Sequence, residues 1–210
     1  MRKSARCSLA LAFFALCCVA HAFGGTILFL GDSLTAGLGV EETQAFPALI
    51  QEKIHAKNLP FEVINAGLSG DTTAGGLSRL DWILQRPIDI VVLELGANDG
   101  LRGLPVAAME TNLQAIIDQV RAKNPQLKIV LAGMRIPPNL GADYTANFQA
   151  AFARVTAKNH AALVPFLLEG VGGHLDLNQP DHIHPTPAGH KIVADNVWRV
   201  LEPLLTRTGP

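Results

Sequence analysis

The sequence predicts an α/β domain built on a parallel sheet with helices on both faces, and three observations predict it. Short, nearly continuous apolar runs recur along the chain, segments with apolar residues at helical spacing stand between them, and no repeat, low-complexity tract or linker divides the chain. Apolar runs without polar alternation suit strands covered on both faces. Their alternation with helical segments is the pattern of a parallel sheet.

The elements follow in order. Thr26 to Leu30, Val63 to Ile64, Ile88 to Leu95, Leu127 to Leu131 and Leu163 to Phe166 read as buried strands. Met109, Leu113, Ile116, Ile117 and Val120 recur at three- and four-residue steps and form one helical face; Tyr144, Phe148, Ala151, Phe152 and Val155 form another. Thr186 followed by Pro187 opens a last helix carrying Ile192, Val193, Val197, Val200, Leu201 and Leu204, because proline suits the first helical position, where its missing N–H is no loss. In such folds ligands sit beyond the carboxyl ends of the strands.

The N-terminus is read apart from the domain. Arg2, Lys3 and Arg6 precede an apolar run from Ser8 to Ala20 and the small-residue pattern Ala20-His21-Ala22. This is the composition of a secretory signal peptide over residues 1–22, cleaved after Ala22. The run is shorter than the ~20 residues that span a bilayer, so no integral membrane span is expected. Cys17 and Cys18 lack the flanking residues of a lipid-attachment signal. Residues 23–210 are then a single domain, periplasmic or secreted. All three cysteines, Cys7, Cys17 and Cys18, fall in the leader, so the mature chain is expected to hold neither a disulfide nor a thiolate. Cleavage removes three cations and no anions, taking the formal net charge from −1 to −4. That balance argues against nucleic acid or an anionic membrane surface as partner, and no obligate protein partner is evident.

Four short words carry the chemistry: Gly31-Asp32-Ser33-Leu34, Ser69-Gly70-Asp71-Thr72, Gly96-Ala97-Asn98-Asp99 and Asp181-His182-Ile183-His184. The first three follow the first three predicted strands and so converge on one sheet edge; the fourth lies in the loop before the last helix. A serine hydroxyl is a poor nucleophile until a base takes its proton. Among His55, His160, His174, His182, His184 and His190, His184 is favoured as base. Asp181, three residues earlier in a tight turn ending at Pro185, can present its carboxylate to the imidazole and stabilise the imidazolium. His55 and His160 read as surface residues, and His182 is left without a role. Acyl transfer also needs donors aimed at a developing oxyanion, which the Ser33 and Gly70 amides and the Asn98 carboxamide would supply.

These residues in this order resemble the SGNH, or GDSL-type, hydrolase family over essentially the whole mature chain. The stretches Glu94 to Gly103 and Met134-Arg135-Ile136-Pro137 resemble its periplasmic bacterial branch of acyl-CoA thioesterases, lysophospholipases and arylesterases. The resemblance implies a flavodoxin-like three-layer sandwich with a five-stranded parallel sheet in the order 2-1-3-4-5. It implies Ser33 as nucleophile, His184 as base, Asp181 as orienting acid and Ser33, Gly70 and Asn98 as the oxyanion hole, with Asp32 and Asp99 holding loops. No cofactor and no metal are implied, and the substrates are small-molecule acyl esters or thioesters. In this branch Ile136, Pro137, Leu140 and Tyr144 are expected to bind the acyl group, with His174, Leu175 and Leu177 contributing to a lid.

Two other readings stand beside this one. Asp32, Asp71 and Asp99 lie at three strand ends, an arrangement suited to Mg²⁺ and phosphoryl transfer, although the chain has no Gly-rich Walker loop. A non-catalytic periplasmic binding module is the second.

Overall fold

The computed structural model describes residues 24–206; the leader over residues 1–22 lies outside them. The sheet is parallel throughout, in the order β2-β1-β3-β4-β5, as expected. Its strands are β1 (Gly25–Gly31), β2 (Phe61–Gly67), β3 (Ile90–Glu94), β4 (Lys128–Ala132) and β5 (Ala162–Val164). The central strand β3 is buried at every position, whereas β2, at the edge, is only partly covered.

Among the described residues seven α-helices lie between the strands and an eighth follows the last: α1 (Ser33–Ala36), α2 (Phe46–Ala56), α3 (Thr73–Ser78), α4 (Leu80–Ile83), α5 (Ala97–Leu101), α6 (Val106–Lys123), α7 (Ala142–Asn159) and α8 (Pro187–Thr206). The α2 and α8 helices pack together on one side, and α6 packs between α3 and α7 on the other. The split follows from connection handedness: the step from β1 to β2 runs one way across the sheet and the later steps run the other way. Right-handed crossovers therefore deliver their helices to opposite faces. That reversal lies between β1 and β3 and opens a crevice at their carboxyl ends.

The helical faces read from spacing are the buried ones. In α6 the covered positions are Val106, Met109, Leu113, Ile116, Ile117 and Val120; in α7 Phe148, Ala151, Phe152 and Val155 are covered. Edge-to-face aromatic pairs sit in each layer, Phe29 with Phe46 at 5.6 Å and Phe148 with Phe152 at 5.4 Å. The expected strands differ from the observed ones at their ends, by one or two residues in all but the second. The fifth ends at Val164 because Pro165 has no N–H for a ladder, which frees Phe166 for another use; the second extends well beyond Val63 and Ile64, its partly exposed edge having hidden the apolar pattern. Among the described residues no helix is long and apolar enough to cross a membrane.

A buried histidine ties the α2/α8 layer together. His190 Nδ1 accepts a hydrogen bond from the Phe46 N–H at 3.3 Å, and its ring stacks on Phe46. Burial, helped by the charge of His184, lowers its pKa from 6.5 to about 4. A proton on Nδ1 would set two donors against each other. The unfolded chain therefore takes up this proton first as pH falls, so the contribution is complete above about pH 6.5 and lost progressively toward pH 4, on the order of 3 kcal/mol in all. Urea unfolding at pH 7 and pH 4.5 checks this: the loss on acidification should be markedly smaller in His190→Gln than in the parent, and an equal loss in both would refute it.

Candidate active site

The first word folds as a tight strand-to-helix turn. Asp32 caps α1 by accepting from the Leu34 N–H at 3.0 Å, which fixes Ser33 as the first residue of the helix at the carboxyl end of β1. Side-chain oxygens are favoured at this position because the first helical N–H groups have no partner inside the helix. Gly31 is required for contact reasons. A Cβ there would meet the Thr35 side chain and stand 2.6 Å from Glu94 Oε2, so glycine lets a carboxylate pack directly against the turn.

The fourth word folds as a turn built around Asp181. Asp181 Oδ1 accepts from the Ile183 and His184 N–H groups at 2.9 and 3.0 Å, and Oδ2 lies 2.7 Å from His184 Nδ1. The opposite ring nitrogen, Nε2, lies 2.8 Å from Ser33 Oγ. A continuous line of hydrogen bonds thus runs from carboxylate through imidazole to hydroxyl. The backbone N–H of His184, then its ring, then the Ile183 N–H hold the Asp181 carboxyl down at about 2. Its side chain is 45% exposed, so the pairing is less shielded from solvent than a buried one. Gln179 fastens this loop to the nucleophile turn: its Nε2 donates to the Leu38 and Pro185 carbonyls at 2.6 and 3.0 Å. His182 lies on the cavity wall with φ of 60°.

The middle words supply the remaining wall. Gly70 has φ of 86°, in the left-handed region that glycine enters without strain, and its carbonyl accepts from Arg102 at 2.9 Å. Asn98, in α5 after β3, has both carboxamide hydrogens engaged: Nδ2 donates to Asp32 Oδ2 at 3.0 Å and to the Asp71 carbonyl at 2.9 Å. Asp71 is fixed by Arg79, whose guanidinium pairs with its carboxylate at 2.6 Å and also donates to the Gly31 and Ala66 carbonyls. Asp99 accepts from the Thr73 N–H and hydroxyl at 2.8 and 2.6 Å.

The three strand-end carboxylates of the metal reading therefore turn to separate partners: Asp32 to Asn98 and the α1 turn, Asp71 to Arg79, and Asp99 to Thr73. Among the described residues no group of three or more His, Cys, Asp or Glu side chains stands together as a metal site.

Ser33, Gly70, Asn98 and His184 line a cavity of about 530 Å³, whose apolar wall includes Leu38, Leu101, Met134, Ile136, Pro137 and Phe166. Arg135 spans the Phe166 ring at 4.5 Å. Of the residues expected to bind the acyl group, Ile136 and Pro137 line the cavity, whereas Leu140 and Tyr144 do not. The turn Pro138–Leu140 carries the chain away from it: Leu140 lies beside Gly103, and the Tyr144 hydroxyl donates to the Leu104 carbonyl at 2.6 Å. The expected lid residues His174 and Leu175 are exposed and Leu177 packs on the core, while their neighbours Gly172, Gly173 and Asn178 reach the cavity.

Sequence reasoning overlooked Glu94, Thr35, Arg79 and Gln179. A signal existed for Glu94, the one charge inside the apolar stretch from Ile90 to Leu95. Gln179 carried none, because the partner that ties it to the nucleophile turn, Leu38, lies far away in sequence.

Comparison with known proteins places this geometry in context. The pattern of the GDSL-like lipase/acylhydrolase family matches residues 29–192. The chain is 43% identical to Esterase TesA of Pseudomonas aeruginosa, covering 86% of this chain and 89% of that protein. It is 36% identical to Thioesterase 1/protease 1/lysophospholipase L1 of Escherichia coli K12, covering 95% and 94%. The solved psychrotrophic esterase EstA from Pseudoalteromonas sp., inhibited by monoethylphosphonate, superposes with a TM-score of 0.81 at 36% identity, covering 87% of this chain and all of that one.

Proposed function

Because this chain belongs to the GDSL-like lipase/acylhydrolase family, we propose that it hydrolyses carboxylic esters and thioesters through an acyl-enzyme on Ser33. The observation that carries the reading is the hydrogen-bonded line from Asp181 through His184 to Ser33 at the wall of an apolar cavity. Ser33 Oγ attacks the acyl carbonyl as its proton passes to His184 Nε2, and the Asp181 carboxylate stabilises the imidazolium. The Ser33 and Gly70 N–H groups and the Asn98 carboxamide receive the negative oxygen. Collapse expels the alcohol or thiol, protonated by His184. Water, deprotonated by the same ring, then attacks the acyl-enzyme and releases the acid. The wall around Ile136, Pro137 and Phe166 accepts the apolar acyl chain, and relatives named as an esterase and as a thioesterase and lysophospholipase support that substrate class. Export after removal of residues 1–22 is part of the same proposal, supported by the composition of the leader.

The test is covalent labelling of the protein with a fluorophosphonate in the presence of EDTA, with the adduct located by mass spectrometry. The phosphonate-inhibited relative supports the choice of probe. A stoichiometric adduct on Ser33 is expected. A folded protein that takes no label, or takes it elsewhere, would remove the proposal.

A further inference from the structure

Beneath the nucleophile lies a pair of carboxyl groups that the acyl-transfer scheme does not use. Glu94, at the end of β3, is fully buried and Asp32 is 1% exposed. Their donors are unequally shared. Asp32 Oδ1 receives the Leu34 N–H and Oδ2 receives the Asn98 carboxamide. Glu94 Oε2 receives the Asp32 N–H at 3.2 Å and the Thr35 hydroxyl at 2.7 Å. Glu94 Oε1 receives no donor from any described residue, although the Glu94 carboxyl lies directly beside Asp32, whose N–H it accepts through Oε2.

Two adjacent buried carboxylates cannot both be ionised without a large cost, and a buried oxygen without a donor is costly as well. A single proton on Glu94 Oε1 removes both problems. Every other oxygen of the pair already accepts a hydrogen bond, so Oε1 is the position where a proton adds a bond rather than displacing one. We propose that Glu94 is a positioning residue that keeps a proton at neutral pH: its Oε1–H donates to the Asp32 carboxylate, and Asp32 in turn holds the Asn98 carboxamide in place at the cavity wall. The inference rests on Asn98 being an oxyanion donor.

The electrostatics agree. Burial, and then the charge of Asp32, raises the Glu94 pKa well above the ordinary carboxyl range. Burial also raises that of Asp32, opposed by the Leu34 N–H, by the hydrogen bonds from Glu94 and Asn98, and by the charge of His184. The other charged groups nearby are committed elsewhere, Arg79 to Asp71 and Asp99 to Thr73. The arrangement also resolves a competition at Asn98, where the Asp32 carboxylate and the substrate oxyanion want the same N–H. Sharing the Glu94 proton draws charge from Asp32 and weakens its hold on the carboxamide, so that N–H can turn to the oxyanion as charge develops there.

The test has a structural and a kinetic arm. Infrared spectra at pH 7, with glutamate carboxyls isotope-labelled, should show the band of a neutral carboxylic acid that vanishes in Glu94→Gln; a parent protein without that band overturns the proposal whatever its activity. Glutamine keeps a neutral donor in place of Oε1–H and an acceptor in place of Oε2. Glu94→Gln should therefore keep kcat within about threefold of the parent, with the acid limb of kcat/KM unmoved. Glu94→Leu, which removes both donor and acceptor, should lose about tenfold or more in kcat with KM little changed. A folded Glu94→Gln enzyme whose acid limb moves by about half a pH unit or more would mean that an anion had been removed, and would also refute the idea. Because the infrared band is independent of turnover and fluorophosphonate labelling is independent of the band, failure of the proton assignment and failure of the serine mechanism are separately visible.

Discussion

Ser33→Ala and His184→Ala are each expected to lower kcat for an aryl ester by about 10³-fold or more, with thermal unfolding nearly unchanged. The size follows from the mechanism. Without the hydroxyl no acyl-enzyme forms, and without the imidazole the hydroxyl keeps its proton, so either loss disables the same step. The double variant should consequently be little worse than either single one, since groups that act as a unit are not additive. Folding should survive because His184 stands in a loop held independently by Gln179 and by the backbone bonds to Asp181, and Ser33 Oγ has His184 as its partner. Asp181→Asn should cost less than either, because its carboxylate is nearly half exposed and its charge is screened by solvent. Its low pKa of about 2 keeps it ionised well below neutrality, so it does not set the acid limb of the rate profile. Steady-state kinetics on the purified variants decide the matter; a loss below tenfold for Ser33 or His184 would contradict their roles.

The second large effect is expected at Asn98. Removing one preorganised oxyanion donor typically costs about 10² to 10³ in kcat, and Asn98→Ala should fall in that range with KM changed little, because the bond strengthens only as charge develops. The same substitution also releases Asp32 and the Asp71 carbonyl. Binding of a tetrahedral phosphonate separates the two consequences: affinity for it should fall in parallel with kcat, whereas affinity for the carboxylic acid product should not. Asn98→Asp should be worse still, since it supplies no donor and adds a third carboxylate beside Asp32 and Glu94. If Asn98→Ala kept kcat within about threefold of the parent while folded, the carboxamide would be a loop brace and the other donors would carry the oxyanion alone.

The residues that were legible before folding share one property: each belongs to a short local word at a strand end or before a helix. Ser33, Gly70 and Asn98 follow β1, β2 and β3, and strand ends are where α/β sheets hold ligands. Asp181 and His184 were legible because a carboxylate three residues before a histidine closes a local turn. The pocket was legible only in part. Ile136 and Pro137 lie just past β4, where strand position constrains them, whereas Leu140 and Tyr144 lie beyond a turn whose direction depends on what it packs against. Their docking against Gly103 and Leu104 is a contact between distant segments.

Local pattern by itself determined the layer architecture, the buried strands and helical faces, and the chemical kinds of residue available at one sheet edge, because apolar spacing and turn chemistry act over a few residues. Family resemblance added the strand order. Only the tertiary structure decided that His184 Nε2 meets Ser33 Oγ across the whole length of the domain, that Asn98 is held between Asp32 and Asp71, and that Glu94 lies against Asp32. Those contacts join segments brought together by sheet pairing and helix packing, and the energies of buried charges and hydrogen bonds depend on the surroundings that assembly creates.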